Sequence, residues 1–573
     1  VPSKKKKKYC TFLIRKIDRI RIAGYYPNIM GSNFLLVSIA GRPKNLSDFI
    51  PDNGLASLAA TLSEEKNRVV ILDLNSPSLF SLLFSPAIEA NLEQIAKKIF
   101  LNKEKPSLMD IFVLKKIDLA IAKRIPHLCA DLEEKIAKVI ETEDIDVIGF
   151  KLWAGEGFSW LSQIGTNLKK RFPALLFFGG GPQVDIFEHL IFRNLPFLDG
   201  LCYGEGEETI RELAKYVQNG RDPSSIPNMI WKEGTSYKKN EKKIISSLDS
   251  LPFPLYDPEI YRNIESKIKM VVIDESRGCP NHCFFCIHPV KSGKRKEKSP
   301  ERVVKEMMQS KERHNIRLFR YAGSSTPPNL LEKIAIRLIE EKADLRYACF
   351  GSVKEFAGKE IFPLLKRSGC EALFFGIESA SEEILKKAMN RTISVSAMES
   401  VLASCKKAGI FTVASIIYPA PFETESTREK TLDFLTRTRP DSALIQFPGV
   451  YPNTRWFHTP EEFGFSLNKK KYPLQVMNYQ FKALFPPRYW KALPYRVNGM
   501  PFKKYAAETE AFQHDVHNLG ILTSVSDETY LLYRHSGEAS LNTFLDKNRY
   551  AFYAGQRELL EEEICTINAA KTP

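Results

Sequence analysis

No stretch of this 573-residue chain stays apolar for long enough to cross a bilayer. Its longest apolar runs, such as "SLFSLLF" and the segment around 138–150, fall well short, and no leader-type segment opens it. A cytoplasmic protein without a membrane span is therefore expected. Cysteine is sparse, with ten scattered positions, which excludes a disulfide framework and leaves thiols free to bind metal in a reducing compartment. Histidine is sparser still, and none precedes His127. Internal repeats are lacking too. The net charge of +15 and the basic runs Lys4–Lys8 and "KSGKRKEK" at 291–298 lack interleaved aromatics, so a solvated surface or tail is expected rather than a nucleic-acid partner.

What is present is alternation. From 33 to about 230 short apolar strands ("NFLLVSIA", "RVVILDL", "DVIGFKL", "ALLFFGGG", "GLCYGEG") alternate with amphipathic helices, which predicts an open, mostly parallel sheet covered on both faces. Leu55, Leu58, Ala59 and Leu62 form the expected buried stripe of its first helix, and another helix is predicted near 158–171. Residues 76–140 exceed a simple crossover and predict a helical insertion. A proline-marked linker, "LDSLPFPLYDPEIY", leads to about six further strand and helix pairs, opening at "MVVIDESRGC" and ending at "SALIQFP". That run suits a partial (β/α)6 barrel with ligands at the carboxyl ends of its strands. The expected organisation is a basic extension (1–32), a first α/β domain (33–235), a linker (236–265), a barrel-like domain (266–450) and a mostly helical C-terminal cap (451–573).

Three of the ten cysteines crowd into "RGCPNHCFFCIHP" at 277–289. Cys279, Cys283 and Cys286 follow the first strand of the barrel-like unit, where a barrel active site belongs. Three thiolates cannot complete a tetrahedral zinc site without a fourth ligand, for which His282 or His288 is available. A cubane iron–sulfur cluster takes three and leaves one iron open.

CxxxCxxC with an aromatic before the last cysteine resembles the signature of the radical SAM superfamily, a resemblance covering roughly 270–450. It implies that the cysteines hold a 4Fe-4S cluster whose open iron chelates S-adenosylmethionine, with a flavodoxin- or ferredoxin-type reducing partner. It also implies Phe285 beside the adenine and Glu378 of "GIES" on the ribose hydroxyls. Gly323, Ser324 and Ser325 of "YAGSST" stand where the family has a methionine-amino-binding "GGE", but without its carboxylate. Ser352, Arg391, Ser415 and Tyr418, the last also a catalytic candidate, lie near other strand ends that in the family face cofactor or substrate; packing is the alternative reading.

The first domain, with "PDNGLASLAATLSEEK", "FGGGPQV" and "YGEGEET", resembles the cobalamin-binding, Rossmann-like domain that precedes the radical SAM domain in one enzyme class. The implied cofactor-binding positions are Gly54, Leu55, Gly179, Gly180, Gly181, Gly204, Glu205 and Gly206; taken alone, these glycine turns would suit a dinucleotide as well. The loop Arg42–Asn53 is expected under or beside the cobalt, unless it only packs the domain edge. The DxHxxG motif is absent, so cobalamin without a histidine ligand is expected. The function this implies is methylation of an unactivated carbon or phosphorus in a small-molecule or peptide substrate. The alternatives are a radical cyclase or oxidative enzyme, a tRNA methylthiotransferase, whose second cysteine triad is not evident in Cys10, Cys129 and Cys202, and a cobalamin sensor. Substrate contacts are expected in the cap, including 488–505, whose basic residues either hold an acidic group or lie on the surface. His514 and His517 are expected on a helix surface.

Overall fold

In the computed structural model, which describes residues 31–219, 223–482 and 484–570, the alternating pattern becomes two crossover sheets joined by the linker. Lys4–Lys8 and Cys10 lie outside the described residues. The first sheet contains β1 (Asn33–Ser38), β2 (Arg68–Asp73), β3 (Val147–Lys151), β4 (Leu176–Gly180), β5 (Gly200–Cys202), β6 (Met229–Glu233) and β7 (Ser236–Lys239). Its order is β2-β1-β3-β4-β5-β6-β7. Strands β1 to β5 pair in parallel, whereas β6 and β7 add an antiparallel edge that the sequence pattern did not reveal. Every residue of β1 is buried because helices cover both faces. The chain leaves β1 for opposite sides of the sheet, so a crevice opens at the carboxyl ends of β1 and β3.

The insertion is helical, at Ser78–Leu83, Pro86–Ala96 and Leu108–Thr142; Ser107 and Asp110 form a capping box at the start of the longest helix. In the first helix, Asn53–Glu64, Leu55, Ala59 and Leu62 are buried. Leu58 departs from the expected stripe, being half-buried at a cavity wall. The linker docks on β2, where the Tyr261 hydroxyl donates to Asp73 at 2.8 Å and accepts the Asp52 N–H at 2.7 Å.

The second unit opens with β8 (Met270–Ile273) and the small hairpin of β9 (Ser276–Arg277) with β10 (Lys296–Glu297). Then come β11 (Leu318–Tyr321), β12 (Arg346–Gly351), β13 (Cys370–Glu378), β14 (Phe411–Ile417) and β15 (Ser442–Gln446). The sheet runs β8-β11-β12-β13-β14-β15, all parallel, as six strands of a partial barrel.

The cap is mixed. A hairpin of β16 (Phe465–Leu467) and β17 (Tyr495–Val497) precedes helices Phe502–Asn518, Asp527–Tyr533, Leu541–Ala554 and Arg557–Ala569. Helix Leu541–Ala554 returns to the first domain, where Phe552 packs on Phe49 at 5.7 Å and on Phe80 at 6.2 Å between ring centroids.

Candidate functional site

The cysteine loop leaves β9 through Gly278, whose φ of +85° lies in the left-handed region. A Cβ there would stand 2.4 Å from the Lys294 carbonyl, so only glycine lets the loop lie against the 293–294 turn. Cys279, Cys283 and Cys286 are half-buried, and the Cys279 N–H donates to the Gly293 carbonyl. Burial pushes the Cys283 thiol up to about 11 and the Cys286 thiol to about 12, so a thiolate there needs a directly bound cation. Among the described residues no three His, Cys, Asp or Glu side chains gather tightly enough for one metal ion. One zinc draws its sulfurs to within about 3.8 Å of each other, whereas a cubane binds each cysteine on a different iron and spreads them. His282 and His288 are exposed.

A cavity of about 340 Å3 opens at the crevice of the first sheet and is bordered by both domains. Its apolar floor includes Phe34, Leu36, Val147, Phe178, Ile210 and Leu213. Gly54, Leu55, Gly179, Gly180, Gly181, Gly204, Glu205 and Gly206 all line it, as do Arg277, Gly278 and Ser324 from the barrel side. The glycines have steric causes: a Cβ at Gly179 would meet Leu152 at 2.9 Å, one at Gly206 would meet Leu58 at 3.0 Å, and Gly181 and Gly204 have φ of +100° and +69°. Lys151, which pairs with Asp52, and Lys291 bring ammonium groups to a wall that also holds Glu205, Glu207 and Asp274. Of the Arg42–Asn53 loop only Asn53 reaches the cavity; Arg42 pairs with Glu156 at 3.8 Å, and Leu46 and Phe49 are buried in the core.

At the end of β13 the structure brings Glu378 and Arg391 together at 3.2 Å, both largely buried. Glu378 has a φ of +65°, beside a register shift, and folds back over Gly376, where a Cβ would lie 2.4 Å from its carboxylate. Burial raises its carboxyl to about 7 despite Arg391. The Asn390 amide, next to Arg391, donates to the His282 carbonyl at 2.9 Å and ties this corner to the cysteine loop. Phe285 is half-buried against Trp456 at 5.5 Å. Ser352 and Ser415 are buried at the ends of β12 and β14. Tyr418 stacks on Phe512 at 4.3 Å and lines neither of the two principal cavities.

The turn after β11 holds a residue that the sequence reading missed. Glu275, fully buried, accepts from the Gly323 N–H at 3.0 Å, Thr326 at 2.7 Å and Ser276 at 3.1 Å. Its carboxylate fills the space of a Gly323 Cβ and shapes the turn from below. Ser325 donates to Glu355 at 2.9 Å, and Arg295 grips that carboxylate at 2.6 and 2.8 Å. Glu355 thus brings a carboxylate to a stretch whose own sequence has none.

Charges thought to be solvated are also part of the joint. Arg277 donates to Glu207 at 2.6 and 3.1 Å and to Asp274 at 2.8 Å. Lys296 donates to Glu205 at 2.8 Å, and Lys298, 4% exposed, bridges Asp274 at 2.7 Å and Glu306 at 2.8 Å. Of the run 291–298, Lys296 therefore reaches across to the first domain and Lys298 and Arg295 pair within the barrel, while Lys294 stays exposed. Glu205 lines the cavity, but its carboxylate is engaged by Lys296 and the Ile245 N–H.

A second cavity, of about 520 Å3, lies where the end of β15 and the cap meet Ala154 and Gln183 of the first domain. From 488–505 it takes Trp490, Leu493 and Tyr495, while Arg488, Lys491, Arg496, Lys503 and Lys504 face solvent. His514 and His517 are exposed on their helix.

Residues 275–435 match the model of the radical SAM superfamily. An uncharacterized methyltransferase of Pyrococcus horikoshii is 28% identical over 61% of this chain and 77% of its own length. The anaerobic magnesium-protoporphyrin IX monomethyl ester cyclase of Synechocystis is 25% identical over 38% of this chain and 45% of its own. Among solved structures, the radical S-adenosylmethionine methyltransferase TsrM from Kitasatospora setae, with cobalamin and a 4Fe-4S cluster bound, superposes with a TM-score of 0.63 at 15% identity, covering 93% of this chain and 99% of that one. The cobalamin-dependent S-adenosylmethionine radical enzyme OxsB superposes with a TM-score of 0.53 at 16% identity, covering 88% and 65%. Residues 275–435 of the chain thus form a radical SAM domain, framed by the fold that the chain shares with TsrM and OxsB.

Proposed function

We propose that this enzyme is a cobalamin-dependent methyltransferase acting on an unactivated carbon or phosphorus centre. The observation that carries the reading is the first cavity, in which the glycine turns of β4 and β5 face Gly278 and His288, the two ends of the cysteine loop, across one space. Its fit to cobalamin is physical. The apolar floor suits the flat base of a nucleotide tail, the bare glycine turns admit a bulky ring, and Lys151, Lys291 and the N-terminus of helix Gly206–Asn219 suit a phosphate. Among the described residues His288, on the barrel side, is the one histidine that borders the space.

Cys279, Cys283 and Cys286 would hold the 4Fe-4S cluster, Glu378 the ribose of S-adenosylmethionine, and Ser324, Ser325 and Glu355 its amino group. When bound, these groups supply hydrogen-atom abstraction and methyl carriage that no side chain can perform. The chain's own part is placement. Arg391 keeps Glu378 oriented, Glu275 fixes the turn at Gly323, and the Arg277 clasp holds the cysteine loop against the first domain. A flavodoxin- or ferredoxin-type protein would supply electrons.

A cyclase outcome is the second reading, favoured by the likeness to the Synechocystis cyclase. The test is anaerobic turnover of the reconstituted enzyme with methyl-labelled S-adenosylmethionine and extract. Label should enter product only with cobalamin present, while 5′-deoxyadenosine forms with or without it. The triple Cys→Ala variant at 279, 283 and 286 should lose both signals. Labelled product without cobalamin would refute the reading, and an unlabelled, ring-closed product would favour the cyclase.

A further inference from the structure

We infer that the second cavity binds a planar, polycyclic aromatic portion of the substrate that carries no anionic group; this rests on the enzymatic reading above and names its substrate class. The walls are dominated by rings, among them Phe187, Phe447, Tyr472, Tyr479, Trp490 and Tyr495. The polar tips of four of them are already spent on the protein's own backbone. Tyr472 donates to the Val450 carbonyl at 2.8 Å, Tyr479 to Lys491 at 2.6 Å, Tyr495 to Pro448 at 2.7 Å and the Trp490 indole to Phe485 at 2.8 Å. Thr509 likewise donates to the Tyr418 carbonyl at 3.0 Å. These groups therefore offer ring faces and edges rather than donors, and such walls select by stacking and shape.

Charge points the same way. Among the described residues no Lys, Arg or His lines the cavity and its single charged residue is Glu510, which pairs with Arg488 at 3.3 Å outside the lining. A buried carboxylate or phosphate would meet no cation and would face Glu510, which costs binding. Gln183, Gln446 and Gln513 leave room for an uncharged polar edge such as a ring N–H or carbonyl. The position suits a substrate, because Gln183 directly follows Gly181 and Pro182 of the first cavity, so the two spaces share the β4 turn as a wall. Gln446 accepts the Tyr418 N–H at 2.9 Å at the strand ends of the barrel.

The experiment measures binding of quinoline and of quinoline-4-carboxylate to the anaerobically reconstituted full chain by calorimetry and saturation-transfer NMR. Quinoline should bind, and the carboxylate about tenfold more weakly or worse, the loss expected when a buried charge is left unpaired. Two variants at exposed positions spare the core. Ala154→Trp fills the mouth and Phe481→Ala removes a ring, and each should weaken quinoline about fivefold or more. No quinoline binding, equal or tighter binding of the carboxylate, or indifference to Ala154→Trp would overturn the inference. Formation of 5′-deoxyadenosine is followed in the same samples. Its presence without quinoline binding overturns this inference alone, whereas quinoline binding without it supports the cavity's preference and counts against the proposed function.

Discussion

Replacing Arg277 with Ala tests whether the two domains are held in register by charge. Its guanidinium makes two bonds to Glu207 and one to Asp274, with side chains only 16%, 6% and 15% exposed, so solvent screens the contacts weakly. Burial alone would raise the Asp274 carboxyl, but Lys298 and Arg277 hold it below the usual carboxylate range. After the substitution Asp274 keeps Lys298, whereas Glu207 is left without an ion-pair partner among the described residues. Removing one partner of a buried pair costs about 3–5 kcal/mol, and at about 1.4 kcal/mol per tenfold the domain-docking equilibrium should fall by a hundredfold or more. The assay is amide hydrogen exchange. Segments 203–209 and 274–279 should exchange faster, with helix Leu108–Thr142 as the unaffected control. Adding Glu207→Gln should recover about half of the loss, because it removes the orphaned charge. Unchanged exchange in Arg277→Ala, or no recovery in the double variant, would refute the clasp.

Glu378 makes S-adenosylmethionine binding depend on pH. Its carboxyl is raised from 4.5 to about 7 by burial, so it is protonated below that point and ionised above. As an acceptor for ribose hydroxyls it should bind more weakly as pH falls through about 7, and Glu378→Gln should flatten the profile of Kd against pH; an unaltered profile in that variant would assign the titration elsewhere. The same shift means that the folded state takes up a proton, so Glu378 destabilises the fold increasingly between pH 4.5 and about 7 and then levels off, which thermal unfolding of the Gln variant would report. In the first cavity, Leu58→Trp extends a half-buried wall residue into the space and should cut retained cobalamin about tenfold while iron content stays constant. Equal cobalamin in variant and wild type would move the cofactor to another place.

What could be read from the sequence was local. The cysteine spacing, the strand ends "GIES" and "FGGGPQV", and six strand and helix pairs each lie within a few residues of their own signal. Glu378 and Arg391 could be named separately, yet their pairing needed the fold. Lys296 looked like part of a solvated basic run because its acidic partner, Glu205, lies 91 residues away on the other domain, and the Arg277 partner Glu207 is likewise 70 residues away. Glu275 was hidden for a similar reason, since its partners Gly323 and Thr326 are 48 and 51 residues on. The second cavity gathers residues from 154 to 513, and no periodicity announces such a meeting.

Helix Leu541–Ala554 has a consequence for traffic through the enzyme. By stacking Phe552 on Phe49 and Phe80, and by seating Gly555 where a Cβ would strike Phe84 at 2.3 Å, the last helices buckle the barrel's continuation onto the first domain. Linker on one side and buckle on the other tie the halves twice, so they cannot swing apart like a clamshell about one hinge. Large guests must pass through gaps at the rim, or arrive while the buckle is undone, and the order in which the chain fastens itself becomes part of how it is loaded.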